Sequence, residues 1–194
     1  MAIDVLFHDT RLGGQTPRPH GWSVYDVNRE TPLEYFIGKC LSESQWHNGI
    51  DTLSILAHGN EEGGQLGFGI MFCHEQLLLG TLPYLIPLQD KIQKVIFPVT
   101  CGTARSSLPN MSIEGIWPGD GHTFCSRMAS TLHAEVTAST ERQVYHGVHS
   151  GVIDAGEWEG LVVTYGRDGL LIPDRTERHR SAWRDRRGRW RGNN

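Results

Sequence analysis

Strand-like and helix-like segments alternate along most of this chain, and that alternation constrains its fold more than any other feature. Apolar runs such as 52–57 have the length and β-branched content of buried strands. Other segments carry apolar residues at helical spacing, for example Leu33, Phe36 and Cys40. This order is typical of an α/β fold, in which helices flank a mainly parallel sheet. We therefore predict one α/β domain over residues 1–173.

The individual elements follow from the same pattern. Strands are expected at 3–7, 22–27, 52–57, 94–100, 135–139, 144–148 and 161–165. Further expected elements are helices beginning at 31 and covering 82–92 and 123–133, a hairpin over 63–69 and a long loop over 102–121. At the first helix, Thr31 is expected to cap, Pro32 fits the first helical position and Glu34 completes a capping box. The inward-facing residues expected in the second helix are Leu82, Leu85, Ile86 and Leu88.

Charge is distributed unevenly along the chain. The net charge is −4, yet eight arginines and three acidic residues give residues 174–194 a charge of +5 and leave residues 1–173 at −9. Trp183 and Trp190 lie among those arginines. Such a tail suits a protein partner, or docking on its own acidic domain through ion pairs and cation–π contacts. Nucleic-acid binding is a further alternative, which the acidic domain disfavours.

Several classes of protein are disfavoured by composition. No apolar run approaches the ~20 residues of a membrane span, and residues 1–5 lack the basic and apolar character of a signal peptide. The cysteines are too few and too scattered for a disulfide scaffold: Cys40, Cys73, Cys101 and Cys125. We therefore expect no membrane association and a cytoplasmic protein with free thiols, with non-classical secretion left open.

Metal and phosphate sites are weakly indicated. Cys73-His74 and the pair His122 and Cys125 have ligand chemistry, but the two pairs lie far apart and a structural zinc site needs two close pairs. The glycines of 63–69 lack the Lys-Ser/Thr that closes a phosphate-binding loop. We predict neither a metal nor an organic cofactor.

Two residues with catalytic chemistry follow the two central predicted strands. His58 follows the run 52–57, Cys101 follows the run 94–100, and each is followed by a glycine. Functional groups collect at the carboxyl ends of parallel strands, so neighbouring strands would present both side chains at one edge. An imidazole beside a thiol activates a cysteine, which is otherwise only slightly ionised at neutral pH. The N–H groups of Gly59 and Cys101 would then form an oxyanion hole.

This pair of motifs resembles the caspase-like cysteine peptidases, in which strand-His-Gly is followed by strand-Cys-Gly. Residues 119–140, and Gly156–Glu159 before the last strand, are similar to a bacterial caspase-like domain of unknown function. The match extends loosely over residues 1–170. The resemblance implies a caspase-like three-layer sandwich, with a mainly parallel central sheet flanked by helices, and a catalytic Cys101–His58 dyad.

The resemblance also implies a substrate pocket that draws on the loop after the first strand. Asp9 and Arg11 lie there with opposite preferences, since Asp9 would favour a basic substrate residue and Arg11 an acidic one. Solvated loop charges are the alternative for both. Thr100 is a third expected substrate contact. Because Val99-Thr100 replaces the Gln-Ala of caspases, the substrate preference of that family does not carry over.

The function predicted from these residues is a cysteine endopeptidase that cleaves a polypeptide through a thioester, as a bacterial effector, toxin or processing protease. A caspase-fold binding module without turnover is the first alternative, because a fold does not guarantee an activity. Nucleic-acid binding through the basic tail is the second.

Overall fold

The computed structural model describes residues 1–64, 67–104, 121–141, 143–147, 151–156, 158–159, 161–173 and 177–178. They form two α-helices, α1 (Leu33–His47) and α2 (Gly121–Leu132), and short 3-10 helices at Thr10–Leu12 and Leu82–Leu88. The strands are β1 (Ile3–Asp9), β2 (Trp22–Val27), β3 (Ile50–Leu56), β4 (His58–Gly64), β5 (Gly67–Met71), β6 (Leu77–Leu78), β7 (Ile92–Ile96), β8 (Glu135–Ser139), β9 (Leu161–Tyr165) and β10 (Glu177–Arg178).

The strands form one large sheet and one small sheet. The large sheet has the order β10-β9-β8-β7-β3-β1-β2. Its neighbours from β2 to β8 run parallel, whereas β9 and β10 are antiparallel additions. The predicted α/β fold with a mainly parallel sheet is therefore confirmed, while its caspase-like three-layer arrangement stays a prediction. The small antiparallel sheet β4-β5-β6 contains the hairpin predicted over 63–69, of which residues 65 and 66 lie outside the described residues.

The two faces of the large sheet are covered differently. Strand residues alternate between faces, so Val5 and Phe7 of β1 point one way and Leu6 points the other. The first face packs against α1, α2 and the second 3-10 helix, and we call it the helix-covered face. On the second face, the loop-covered face, neither α-helix contributes to the core within the described residues. The buried residues of its cluster are Leu6, Leu12, Leu56, Val99, Ile153 and Ala155.

Helix α1 forms where its periodicity predicts, but its start differs from the predicted capping box. The first helical residue is Leu33, so the capping position falls on Pro32, which has no side-chain acceptor to offer. The hydroxyl of Thr31 pairs instead with Asn28 in the preceding turn. Glu75 supplies the missing acceptor, because its carboxylate accepts a 2.7 Å hydrogen bond from the backbone N–H of Leu33. The capping box was therefore wrong, and a distant carboxylate performs its task.

The segment predicted as a helix over 82–92 is a 3-10 helix that ends at Leu88. Pro83 lies at its start and Pro87 inside it, and proline removes the backbone donors that a longer α-helix requires. Ile86 is 58% exposed, so the prediction that it faces inward was wrong. The chain then enters β7 at Ile92.

Three further predictions differ from the structure or lie partly outside it. Residues 144–147 form no strand, and His146 makes only a single antiparallel bridge with Asp154. Residues 105–120 of the expected long loop are outside the described residues, as are 174–176 and 179–194 of the basic tail. The helices of the described part are all too short or too polar to cross a bilayer.

Candidate active site

The topology brings the His58 and Cys101 segments to one edge of the large sheet. Strands β3 and β7 are parallel neighbours, with Ser54 opposite Ile96 near their carboxyl ends. His58 follows β3 after one intervening residue and opens β4. A methyl group placed on Gly59 would lie only 1.9 Å from the carbonyl oxygen of Cys101. The two chain segments are therefore in direct backbone contact, and only a glycine at position 59 permits that approach.

The imidazole of His58 is oriented by a backbone carbonyl. Its Nε2 lies 3.1 Å from the carbonyl oxygen of Arg11, in the loop after β1. A carbonyl oxygen can only accept, so Nε2 must carry the hydrogen of this bond. In the neutral ring, Nδ1 then holds the lone pair and is the nitrogen able to accept a proton. The ring is half-buried, so it is held without being sealed from solvent.

Cys101 differs from the other cysteines in its exposure. Its side chain is half-buried, whereas Cys40, Cys73 and Cys125 are fully buried. Burial raises the pKa of the Cys73 thiol to about 12 and raises that of Cys40 as well. A raised pKa and burial both disfavour reaction of the Cys40 and Cys73 thiols. Cys101 is the most exposed of the four thiols.

The thiol of Cys101 has a defined partner in a backbone carbonyl. Its Sγ lies 3.7 Å from the carbonyl oxygen of Gln143, to which the S–H can donate. The Gln143 side chain is itself fixed, because its amide donates to the Ser139 hydroxyl at 2.8 Å and to the Glu141 carbonyl at 2.9 Å. The Gly102 N–H donates to the same Glu141 carbonyl at 2.9 Å. The backbone around the thiol is thus attached to residues just beyond β8.

Sequence reasoning missed Tyr145, which links the Cys101 region to the loop that holds His58. Its hydroxyl donates to the carbonyl oxygen of Leu12, the residue after Arg11. Burial raises the pKa of Tyr145, and the nearby Cys101 thiol raises it further. No motif marks Tyr145 or Gln143 in the sequence, and the strand predicted at 144–148 gave Tyr145 no functional role. Only the folded structure shows that the irregular segment after β8 brings these two residues next to Cys101 and the loop after β1.

Thr100 belongs to the scaffold beneath the thiol. It is fully buried, and its hydroxyl donates to the Ile55 carbonyl of β3 at 3.4 Å. The Thr103 hydroxyl donates in turn to the Thr100 carbonyl at 3.2 Å. These bonds keep the chain beside β3 after β7 has ended, although Pro98 interrupts the ladder. The predicted contact of Thr100 with a substrate stays a prediction.

Asp9 and Arg11 pair with each other. The carboxylate of Asp9 is fully buried and accepts Arg11 Nε at 2.8 Å and Nη2 at 2.6 Å. The Arg11 side chain is 22% exposed. The two opposite charges neutralise each other where they meet, and the predicted contact of Asp9 and Arg11 with a substrate stays a prediction. The same pairing raises the pKa of Arg11.

The cysteine and histidine pairs that have ligand chemistry make other contacts. The Nδ1 of His74 pairs with the Arg29 carbonyl at 3.0 Å, and His122 pairs with the Tyr165 hydroxyl. Cys125 donates to the Thr103 carbonyl at 3.5 Å. Within the described part of the chain, no three His, Cys, Asp or Glu side chains come together as a set able to hold a metal.

Neither a protein-family model nor a curated protein matches this chain. The candidate site therefore rests on its residues and geometry.

Proposed function

We propose that this protein is a cysteine peptidase of the caspase-like type, with Cys101 as the nucleophile and His58 as the base. The observation that carries the proposal is the backbone contact between Gly59 and Cys101, where a methyl group would lie 1.9 Å from the Cys101 carbonyl oxygen. That contact brings the histidine segment and the cysteine segment together at one edge of the sheet. The bond from His58 Nε2 to Arg11 also leaves Nδ1 as the proton-accepting nitrogen.

The proposed substrate is a polypeptide, cleaved in two steps. The Cys101 thiol gives its proton to His58 Nδ1, and the thiolate forms a C–S bond with the peptide carbonyl carbon. The C–N bond breaks as His58 returns the proton to the departing amine. Water then attacks the thioester, His58 takes its proton, and the C–S bond breaks as that proton returns to sulfur. The cycle consumes one water and requires no metal or organic cofactor.

The oxyanion of both steps would be held by the N–H groups of Gly59 and Cys101. A preorganised donor pair of this kind lowers the barrier by several kcal/mol. The absence of a side chain at position 59 supports this role, because any Cβ there would displace the Cys101 backbone.

Substitution of Cys101 by alanine tests the proposal most directly. On a panel of peptides, Cys101→Ala should reduce turnover by at least about 1000-fold because it removes the nucleophile. Its unfolding temperature should stay close to that of the wild type, since the side chain is only half-buried. Cys40→Ala is the matched control, because Cys40 lies in α1 on the helix-covered face. It should lose stability and keep turnover. Equal turnover by wild type and Cys101→Ala would refute the assignment.

One observation favours a binding module without turnover as the second candidate. The contact of the thiol is the Gln143 carbonyl at 3.7 Å, which stabilises the protonated S–H. Iodoacetamide separates the two candidates without any substrate. An activated thiol at Cys101 should react about tenfold faster at pH ~7 in the wild type than in His58→Ala. His74→Ala is the matched control, because this histidine also pairs with a backbone carbonyl. Equal rates in wild type and His58→Ala would favour the binding module.

A further inference from the structure

We infer that Asp9 is a positioning residue for His58, acting through Arg11. The inference rests on the proposed function and adds to it a buried carboxylate that touches neither the thiol nor the imidazole. Asp9 would hold the Arg11 backbone in the one place where its carbonyl receives the Nε2–H of His58. The Asp9–Arg11 pair then sets which nitrogen of the ring is the base.

Asp9 is fully buried and its carboxylate is saturated with donors. Oδ1 accepts the Arg11 backbone N–H at 3.2 Å and Nε at 2.8 Å. Oδ2 accepts Arg11 Nη2 at 2.6 Å and the backbone N–H of Cys73 at 3.0 Å. A carboxylate with this set of partners fixes both the backbone and the side chain of Arg11. The Arg11 carbonyl, which pairs with His58, therefore belongs to a doubly anchored residue.

The Asp9–Arg11 pair also forms hydrogen bonds next to the hairpin that carries His58. Arg11 Nη2 donates to the Cys73 carbonyl at 2.9 Å, so both backbone polar groups of Cys73 are engaged by the Asp9–Arg11 pair. Cys73 adopts a left-handed conformation with φ of 58°, which the two bonds hold in place. Two residues earlier, Met71 of β5 pairs directly with His58 of β4. Two contacts consequently fix the position of His58. The Arg11 carbonyl orients its ring, and pairing within the hairpin holds its backbone.

Loss of the Asp9 charge would affect the tautomer of His58. Without its anchor, the Arg11 carbonyl can turn away, and the ring then exchanges between hydrogen on Nε2 and hydrogen on Nδ1. A proton on Nδ1 blocks the nitrogen that must accept the thiol proton. The expected consequence is a lower rate constant for chemistry with little change in substrate affinity, as is usual when a histidine base loses its orienting partner.

Asp9→Asn is the principal test, and Asp26→Asn is its matched control. Asp26 lies on the neighbouring strand β2 and also pairs with an arginine, Arg18 at 3.1 Å, but its side chain is 42% exposed. The measured quantity is the rate of Cys101 alkylation at pH ~7 in the full chain. Asp9→Asn should slow it about tenfold, toward the rate of His58→Ala. Asp26→Asn should stay within about twofold of the wild type. An unchanged rate in a folded Asp9→Asn protein would overturn the inference.

A double variant separates positioning from a general loss of structure. If Asp9 acts only through His58, then Asp9→Asn in a His58→Ala background should slow alkylation no further. An equal additional loss there would show that Asp9 supports the fold alone. Should Asp9→Asn fail to fold, Arg11→Lys retains the charge beside Asp9 while losing the two-pronged contact, and the same cycle applies.

The tautomer can be observed independently of any activity. The ¹⁵N shifts of the His58 ring should show hydrogen on Nε2 in the wild type and a mixture in Asp9→Asn. If His58→Ala alkylates as fast as the wild type, the proposed peptidase fails, yet the ring spectrum still decides the role of Asp9. If His58→Ala is slow while Asp9→Asn changes neither rate nor spectrum, the inference fails and the peptidase proposal stands.

Discussion

The helix-covered and loop-covered faces of the large sheet are stabilised and used in different ways. On the helix-covered face, aromatic and aliphatic side chains such as Phe36 and Phe124 pack into one continuous core. At the other face and the adjoining edge, the important contacts are backbone carbonyls. Those of Arg11, Leu12 and Gln143 receive His58, Tyr145 and Cys101 in turn. In irregular segments, some backbone carbonyls are not used in the hydrogen bonds of a sheet. They can therefore accept hydrogen bonds from side chains.

This difference predicts that the two faces can be perturbed separately. Phe36→Ala should produce the largest change in stability, because Phe36 is 1% exposed and its ring lies 4.8 Å from Phe7 and 5.1 Å from Phe72. Removing such a ring costs about 3–5 kcal/mol of unfolding free energy, measurable by urea denaturation. Trp46→Ala on the same helix is the control, since Trp46 is 76% exposed and should change stability by under about 0.5 kcal/mol. A loss of Cys101 alkylation in folded Phe36→Ala would show that the faces are coupled.

The helix-covered face was also the more predictable one. Leu33, Phe36 and Cys40 recur at helical spacing in the sequence and are buried in α1 as expected. Strands β8 and β9 begin and end at the predicted residues. The errors lie where proline or a distant residue intervenes: Pro87 shortens the predicted helix, and Glu75 caps α1 from across the fold. Hydrophobic periodicity predicts which face of a helix or strand is buried. It does not predict where a proline ends the element or which distant residue caps it.

One part of the candidate site could also be predicted from the sequence and another part could not. The nearness of the His58 and Cys101 segments could be predicted, because adjacent parallel strands deliver their carboxyl ends to one edge. The carbonyl acceptors that orient these groups could not be predicted. Every residue has a backbone carbonyl, and the sequence does not reveal which of them will accept a hydrogen bond from a side chain. The Asp9–Arg11 pair shows the limit for side chains as well. Two opposite charges two residues apart suggest opposite preferences, whereas in three dimensions they neutralise each other.

Gly59→Ala should have the next largest effect, and it should act on the thiol more than on the helix-covered core. The new methyl group would meet the Cys101 carbonyl oxygen at 1.9 Å, so one of the two segments must move. A displacement of about 1 Å in a catalytic arrangement costs on the order of 100-fold in rate. Peptide turnover and Cys101 alkylation measure the loss.

Gly38→Ala in α1 is the control for that substitution. A methyl group at Gly38 meets no atom within 4 Å, so alanine should raise helix stability by up to about 1 kcal/mol and leave alkylation unchanged. Retention of full reactivity by Gly59→Ala would mean that the contact between the two segments is not needed for the chemistry.

The smallest expected effect concerns His8, whose protonation should make the stability of the loop-covered face depend on pH. His8 points to the same face as Leu6, is fully buried, and pairs through Nδ1 with the Thr16 hydroxyl at 2.8 Å. Burial lowers the pKa of His8 in the folded chain below 6.5, although Asp26 and Asp9 oppose the shift. The unfolded chain therefore takes up the proton first as pH falls, so stability is full above about pH 6.5 and declines below it.

His8→Gln should flatten that decline. The contribution of one such group is at most about 1.4 kcal/mol for each pH unit, so the free energies of unfolding of wild type and variant should converge between about pH 7 and pH 5. Urea denaturation at both pH values measures this, with His74→Gln as the control because His74 is exposed. Acid should weaken the loop-covered side first, so the Cys101 alkylation rate of the wild type relative to that of His8→Gln at the same pH should change before the far-ultraviolet helix signal does. Simultaneous loss of both would mean that the loops and helices unfold as one unit.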